Sequence, residues 1–242
     1  MKLGILKNIN KRSHIDNSEK PNEGLLKKYG SVAYSTFDTI LNTYNTTKNI
    51  IDNKVPGVIV ECGVAAGAQI AVMHQCCLDN NVSIPIYAFD SFEGIPIASK
   101  DDDDQPGIGP ITEHVEYNDP RELLKTSGIT VHSLENTSWT IKQWFPTSYN
   151  NFIYVKGWFQ DTVGDFKTPI SLLRLDGDLY ESTKVCLESL FPLLQPNGIL
   201  IIDDWGLGGC QKACLEYFKT RTDIVELDIK RDFNDPKYFK KV

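Results

Sequence analysis

The chain reads as a doubly wound α/β protein with a largely parallel sheet, and three observations predict this. Short apolar runs end in an acid or a glycine, at Val58–Gly63, Ile84–Asp90, Ser171–Asp176 and Gly198–Asp204. Such continuous runs mark strands buried on both faces, as in parallel sheets. Helix-like segments alternate with them, at 68–78, 133–144, 182–194 and 210–220, which is the βαβ pattern. Finally, 242 residues with 41% hydrophobic content suit one large domain with a substantial core.

The remaining elements follow in order. Residues 1–24 are rich in Asn, Lys and Ser and read as a loose arm. Between Gly30 and Asn53 the apolar positions Val32, Tyr34, Phe37, Ile40, Leu41, Tyr44, Ile50 and Ile51 predict one or two amphipathic helices, ended by Val55-Pro56-Gly57. These divide the chain into an N-terminal addition, 1–54, and a main domain, 55–242. Residues 94–120, rich in Gly, Pro and Asp, read as a long mobile loop of functional character. Within it Asp101-Asp102-Asp103-Asp104 reads as a solvated acidic stretch, since no EF-hand spacing follows. A short helix is expected at 120–127, Ser133 should cap the helix after it, and strands follow at 152–157, 224–229 and 233–241. No internal repeat is present.

Charge and cysteine content exclude several classes. A net charge of −7 and a pI near 5.1 oppose nucleic-acid binding, which needs a basic surface. The six cysteines form no CxxC pair of zinc-ligand spacing and read as buried thiols. With no signal-peptide pattern and no apolar stretch near 18 residues, a cytoplasmic protein away from membranes is expected. An amphipathic N-terminal segment with no obvious place on a full sheet suggests a homodimer or higher homo-oligomer.

Two acidic clusters carry the chemistry. Asp176-Gly177-Asp178 and Asp203-Asp204 each follow a buried strand. Ligands of open α/β sheets bind outside the carboxyl ends of the strands, so four carboxylates should meet at one rim. Four such anions repel unless a cation or proton lies among them, which points to a hard-metal site. A second feature is the turn Glu61-Cys62-Gly63-Val64-Ala65-Ala66-Gly67 between strand and helix. Its G-x-x-x-G spacing is neither the dinucleotide fingerprint nor a phosphate-gripping loop. A compact ligand joining an amino acid to a nucleoside, such as S-adenosylmethionine (SAM), fits better, with Glu61 near its amino group. Asp90 ends the next strand, where an acid commonly takes ribose hydroxyls.

The stretches VPGVIVECGVAAG (55–67), FDSFEGIP (89–96), KGWFQDT (156–162), LLRLDGDLYEST (172–183), NGILIIDDWG (197–206) and GCQKACLEYF (209–218) resemble, in this order, the macrocin O-methyltransferase (TylF-like) family. The resemblance implies the class I SAM-dependent methyltransferase fold, a Rossmann-like sheet of seven strands, the last antiparallel, with helices on both faces. It implies methyl transfer from SAM to a sugar hydroxyl with Mg²⁺, or Mn²⁺ in its place. The acceptor would be a sugar-containing small molecule or glycan, such as a glycosylated natural product or a nucleotide-sugar. By resemblance Asp176, Asp203 and Asp204 hold the metal and Asp178 is the general base. The cofactor set is Glu61, Gly63, Gly67, Asp90, Ser91, Gly157, Trp158 and Asp176.

Two other enzyme classes share part of this pattern. Asp176-Gly177-Asp178 is formally the D-x-D of a metal-dependent glycosyltransferase, but the glycine turn and Asp203-Asp204 have no role there. A catechol-type O-methyltransferase would share both metal and cofactor. Among the histidines, His74 is expected to be structural, and His114, near the long loop, is only a candidate for substrate contact. Phe92 and Tyr180 are candidates for the pocket wall or the core, and Asp176 and Asp178 for helix capping as the alternative to chemistry.

Overall fold

The computed structural model describes residues 21–102, 116–229 and 236–242, with the backbone of 13 and 14. Its elements in chain order are β1 (Ser13–His14), α1 (Glu23–Gly30), α2 (Phe37–Asp52), β2 (Val58–Cys62), α3 (Ala68–Asp79), β3 (Ile86–Asp90), α4 (Leu134–Trp144), β4 (Phe152–Lys156), α5 (Phe159–Thr162), β5 (Ile170–Leu175), α6 (Tyr180–Leu190), β6 (Leu194–Ile202), α7 (Gly208–Phe218), β7 (Ile224–Asp228) and β8 (Lys237–Lys241). The sheet order is β1-β7-β8-β6-β5-β2-β3-β4. Strands β2 to β8 make the expected seven-stranded sheet, in which β8 alone runs antiparallel to its neighbours β6 and β7. The two-residue β1 extends it in parallel at the β7 edge.

Helices cover both faces. One layer buries Leu26, Tyr29, Ile40 and Ile50 of α1 and α2 with Ile70 and Met73 of α3 against Ile59, Leu172 and Ile201 of the sheet. The other buries Cys186, Leu187, Leu190, Cys214 and Phe218 of α6 and α7 against Val60, Leu173 and Leu200. Alternate residues of each strand thus serve opposite cores. The N-terminal helices share the main core instead of standing apart from it. Much of their apolar face is buried inside the chain.

Local differences from the sequence reading have simple causes. Helix α1 starts at Glu23, inside the stretch expected as an arm, and Asn22 caps it by accepting Leu25 N–H. Ser133 caps α4 as expected, accepting Asn136 N–H. The helix expected at 120–127 is a single 3₁₀ turn, Pro120–Leu123. Residues 94–102 are braced, with bonds from Ile95 N to Ile129 O, Ile97 N to Leu123 O and Ser127 N to Ile95 O. Residues 103–115, with Asp103, Asp104 and His114, lie outside the described residues. All six cysteines are buried and unpaired by disulfides. Among the described residues no helix is long and apolar enough to cross a membrane.

Gly63 shows how tightly the sheet is drawn together at the site. It has φ +85°, and a Cβ there would sit 1.7 Å from the carbonyl oxygen of Asp176. Close approach and left-handed backbone both require glycine. Gly63→Ala should lose about 2–3 kcal/mol by adding overpacking to backbone strain. Chemical denaturation would measure this, and an unchanged midpoint would contradict it.

Candidate active site

The chain order reverses between β2 and β5, the topological switch point where open α/β sheets bind ligands. A cavity of about 310 Å³ opens there at the carboxyl ends of the strands, at the small end of the ligand-pocket range of about 300–1,000 Å³. Its wall includes Glu61, Gly63, Asp90, Ser91, Trp158, Asp176, Asp178, Asp203 and Asp204. Nine of the sequence-selected residues therefore meet around one space. Gly67 and Gly157 are not in the wall: Gly67 has φ +90°, where a Cβ would crowd Ile141 and Thr137, and Gly157 has φ +147°, where a Cβ would lie 2.8 Å from Thr162, and donates its N–H to Asp90 O.

Strand register explains the charge arrangement. Glu61 on β2 faces Arg174 on β5, which in turn faces Ile201 on β6. The period of two puts Asp176 on the same face as Arg174, and Asp203 on the face of Ile201. Fully buried Arg174 joins all three acids: Nη1 donates to Glu61 Oε1 and to Asp176 Oδ2, each at 2.7 Å, and Nη2 donates to Asp203 Oδ1. The sequence reading missed this guanidinium. Its signal was present, as an arginine inside an apolar run two residues before an aspartate. Such a charge is buried only when paired.

Glu61 itself is fully buried, and its Oε2 has no hydrogen-bond partner. Burial pushes its carboxyl up to about 8, against the opposing pull of Arg174. Asp90 holds the glycine turn from below: Oδ2 accepts Val64 N–H at 2.7 Å and Ala65 N–H at 3.0 Å, while Oδ1 accepts Phe92 N–H at 2.6 Å. These bonds fix Ala65 and Phe92 at positive φ, a conformation non-glycine residues adopt only when their surroundings compel it. Trp158 is half-buried in the cavity wall rather than in the core.

Asp176, Asp178 and Asp204 each bring a carboxylate oxygen within 4.8 Å of the others. All-oxygen donors of this kind fit Mg²⁺ or Mn²⁺ and not zinc. Burial and the neighbouring carboxylates push Asp178 and Asp204 well above the ordinary aspartate range, the behaviour of anions gathered without a counter-charge. Asp203 stands beside this trio with Oδ1 committed to Arg174. Asp178 sits at φ +58°, and its N–H donates to Asp204 Oδ2 at 2.9 Å. Neither Asp176 nor Asp178 caps α6, whose N-cap position is Leu179.

Other residues join the wall that sequence did not select. Val32 to Ser35 approach from the α1–α2 connection, held by Gln69 Nε2 donating to Ser35 Oγ at 2.9 Å and by a Tyr34–His132 hydrogen bond of 3.0 Å. Conversely, Phe92 and Tyr180 are buried away from the cavity. His74 is a core residue as expected, its Nε2 2.8 Å from Ser148 Oγ between the rings of Phe145 and Phe152.

Fold and site together define a class I methyltransferase architecture. The sequence profile of the macrocin O-methyltransferase (TylF) family matches residues 29–241, and the chain belongs to that family. It is 30% identical over 178 residues to the 8-demethyl-8-(2,3-dimethoxy-alpha-L-rhamnosyl)-tetracenomycin-C 4'-O-methyltransferase of Streptomyces olivaceus, a match covering 73% of this chain and 63% of that relative. It is 29% identical to the mycinamicin III 3''-O-methyltransferase of Micromonospora griseorubida, covering 77% of this chain and 71% of the relative. Among solved structures the O-methyltransferase NovP superposes with a TM-score of 0.71 at 25% identity, covering 87% of this chain and 82% of that one. The calicheamicin methyltransferase CalS11 shares the fold with a TM-score of 0.64 at 21% identity, covering 93% and 87%. Within this family the D-x-D glycosyltransferase alternative loses its footing.

Proposed function

We propose that the protein transfers a methyl group from SAM to a hydroxyl of a sugar on a small molecule or glycan, with Mg²⁺ or Mn²⁺ at the aspartate cluster. The observation that carries this reading is the joining, in one cavity, of an unpartnered buried carboxylate oxygen on Glu61 with the cluster of Asp176, Asp178 and Asp204. The first suits the amino group of a nucleoside-linked amino acid, the second an acidified hydroxyl. The relatives named for methylating glycosylated natural products support the sugar acceptor.

Roles follow from position. Glu61 Oε2 accepts the amino group of SAM, Asp90 takes the ribose hydroxyls with its remaining lone pairs, and Trp158 flanks the adenine. Gly63 lets the backbone approach, Gly67 starts the helix close by, and Ser91 and Gly157 shape the turns on either side of Asp90. Asp176 and Asp204 hold the ion, with the free oxygen of Asp203 as a further ligand. A bound Mg²⁺ supplies Lewis acidity, lowering an alcohol pKa of about 16 by several units. Asp178 accepts the hydroxyl proton, which is within reach of a carboxylate once the alcohol is acidified. The oxygen then bonds to the methyl carbon while the carbon–sulfur bond breaks, its electron pair passing to sulfur. Holding donor and acceptor in line provides much of the acceleration.

Calorimetry with SAM and with UDP-sugars, each with and without Mg²⁺, tests the reading. Binding of SAM is expected, and tight binding of a UDP-sugar by a protein that fails to bind SAM would overturn it. Turnover should stop on chelation and return with Mg²⁺, and chelator-resistant turnover would remove the metal from the scheme.

A further inference from the structure

Asp101 and Asp102, the described part of the acidic stretch, are not simply solvated. Asp102 is buried, 4% exposed, and Asp101 pairs with Lys212 Nζ at 2.5 Å. Asp102 Oδ2 accepts the N–H and the hydroxyl of Ser99, at 2.8 and 2.9 Å. Its Oδ1 accepts the N–H of Tyr180 at 2.7 Å, across 78 positions of sequence. Helix α6 has no side-chain cap of its own at Leu179. Asp102 therefore does, from a distant loop, what a local cap ordinarily does.

The bond has consequences for the turn before α6. Three successive N–H groups there each have a defined acceptor: Asp178 donates to Asp204 Oδ2, Leu179 to Gly177 O at 2.6 Å, and Tyr180 to Asp102. The turn carries Asp178 in its left-handed conformation, and Asp102 fixes the end that Asp204 does not. The carboxylate is also wedged against the start of α7. A Cβ on Gly209 would lie 2.0 Å from Asp102 Oδ1 and 3.1 Å from Tyr180 N.

We infer that Asp102 is a positioning residue: it caps α6 in trans and thereby holds the 177–179 turn so that Asp178 faces Asp176 and Asp204. The functional half of this inference rests on the assignment of Asp178 above, whereas the structural half does not. Capping frees Asp176 and Asp178 from the competing task of satisfying helix N–H groups. It also couples the 94–102 segment, whose Gly94 to Pro96 line the cavity, through Ser99 to the turn at the acids.

Two variants reach the bond from opposite sides. Asp102→Ala deletes the acceptor. Gly209→Ala leaves Asp102 in place and pushes its carboxylate off Tyr180, while alanine itself favours helix α7. In hydrogen-exchange mass spectrometry both should speed exchange at residues 178–183 by about 5- to 30-fold, the scale of a lost helix cap. Peptides from β5 and β6 should exchange at the wild-type rate, and the double variant should add little to either single one. Wild-type exchange at 178–183 in Asp102→Ala overturns the inference, and should that variant fail to fold, the same result in Gly209→Ala does so. Equal acceleration across the sheet also overturns it, because that reports global destabilisation. On an acceptor that the wild-type enzyme methylates, kcat should fall about 10- to 100-fold, the scale of a misplaced reacting group, while calorimetry finds Mn²⁺ and SAM affinities within about threefold of wild type, because Asp178 is the base and not a ligand. Unchanged kcat overturns the functional half. A wild-type protein that binds no Mn²⁺ defeats the metal reading instead, and leaves the exchange result to decide the cap.

Discussion

Arg174→Ala is expected to cost about 3–5 kcal/mol of stability, the usual consequence of removing one partner from a buried charge network. For a chain of this length that is a fall in melting temperature of roughly 6–20 °C. The size follows from what one guanidinium does here: it is the shared donor for Glu61, Asp176 and Asp203. Lysine keeps the charge but cannot present two nitrogens in a fixed fork, so Arg174→Lys should recover only part of the loss. The pH dependence supplies a second check. Without Arg174 the carboxyl of Glu61, already pushed up to about 8, rises further. A carboxyl whose folded pKa is raised binds more protons folded than unfolded, so its contribution is present below the unfolded value near 4.5 and is lost as pH climbs. The deficit of Arg174→Ala relative to wild type should therefore stay level while Glu61 holds its proton in both folded proteins and grow above about pH 8, where only the wild type releases it. A constant deficit would mean that the lost packing of the side chain, not the stranded acids, sets the cost.

How far such a network can be read in advance depends on which contacts are local. The strands were legible because burial on both faces forces continuous apolar runs, and their carboxyl ends were legible because acids terminate those runs. Placing Glu61, Asp90, Asp176 and the Asp203-Asp204 pair at one rim needed only the parallel sheet. The division of labour among them needed register. Arg174 selects Asp203 and Asp176 because β2, β5 and β6 align Glu61, Arg174 and Ile201 side by side, which no spacing within a single segment states. Asp102 lies further out of reach. Its neighbours in sequence are three more aspartates, the pattern of a solvated loop, and the donor that gives it a role at α6, Tyr180 N–H, lies 78 residues away. Helix α1 was overlooked for the opposite reason, since Leu25 and Leu26 are set among lysines and glutamate that mask an apolar face two turns long.

Asp178→Asn separates proton transfer from binding. The side chains are nearly isosteric, and asparagine tolerates the left-handed backbone that Asp178 occupies at φ +58°, so the turn and its bond to Asp204 should persist. An amide, however, cannot take the hydroxyl proton. Turnover on an acceptor that the wild-type enzyme methylates is expected to fall by at least about 100-fold, the scale of a general base, with SAM affinity unchanged. Mn²⁺ affinity decides what kind of residue Asp178 is. Its oxygen stands within 4.8 Å of those on Asp176 and Asp204, near enough for a ligand as well as for a base beside one. If it is the base, Mn²⁺ binding should hold within about threefold while kcat collapses; if metal affinity and kcat fall together, Asp178 belongs to the ion and the base must be sought elsewhere in the cavity. Asp203 gives the complementary measurement. With Oδ1 held by Arg174, Asp203→Asn should weaken Mn²⁺ binding only if its second oxygen is a ligand, so the two variants together assign the acids that the fold merely brings together.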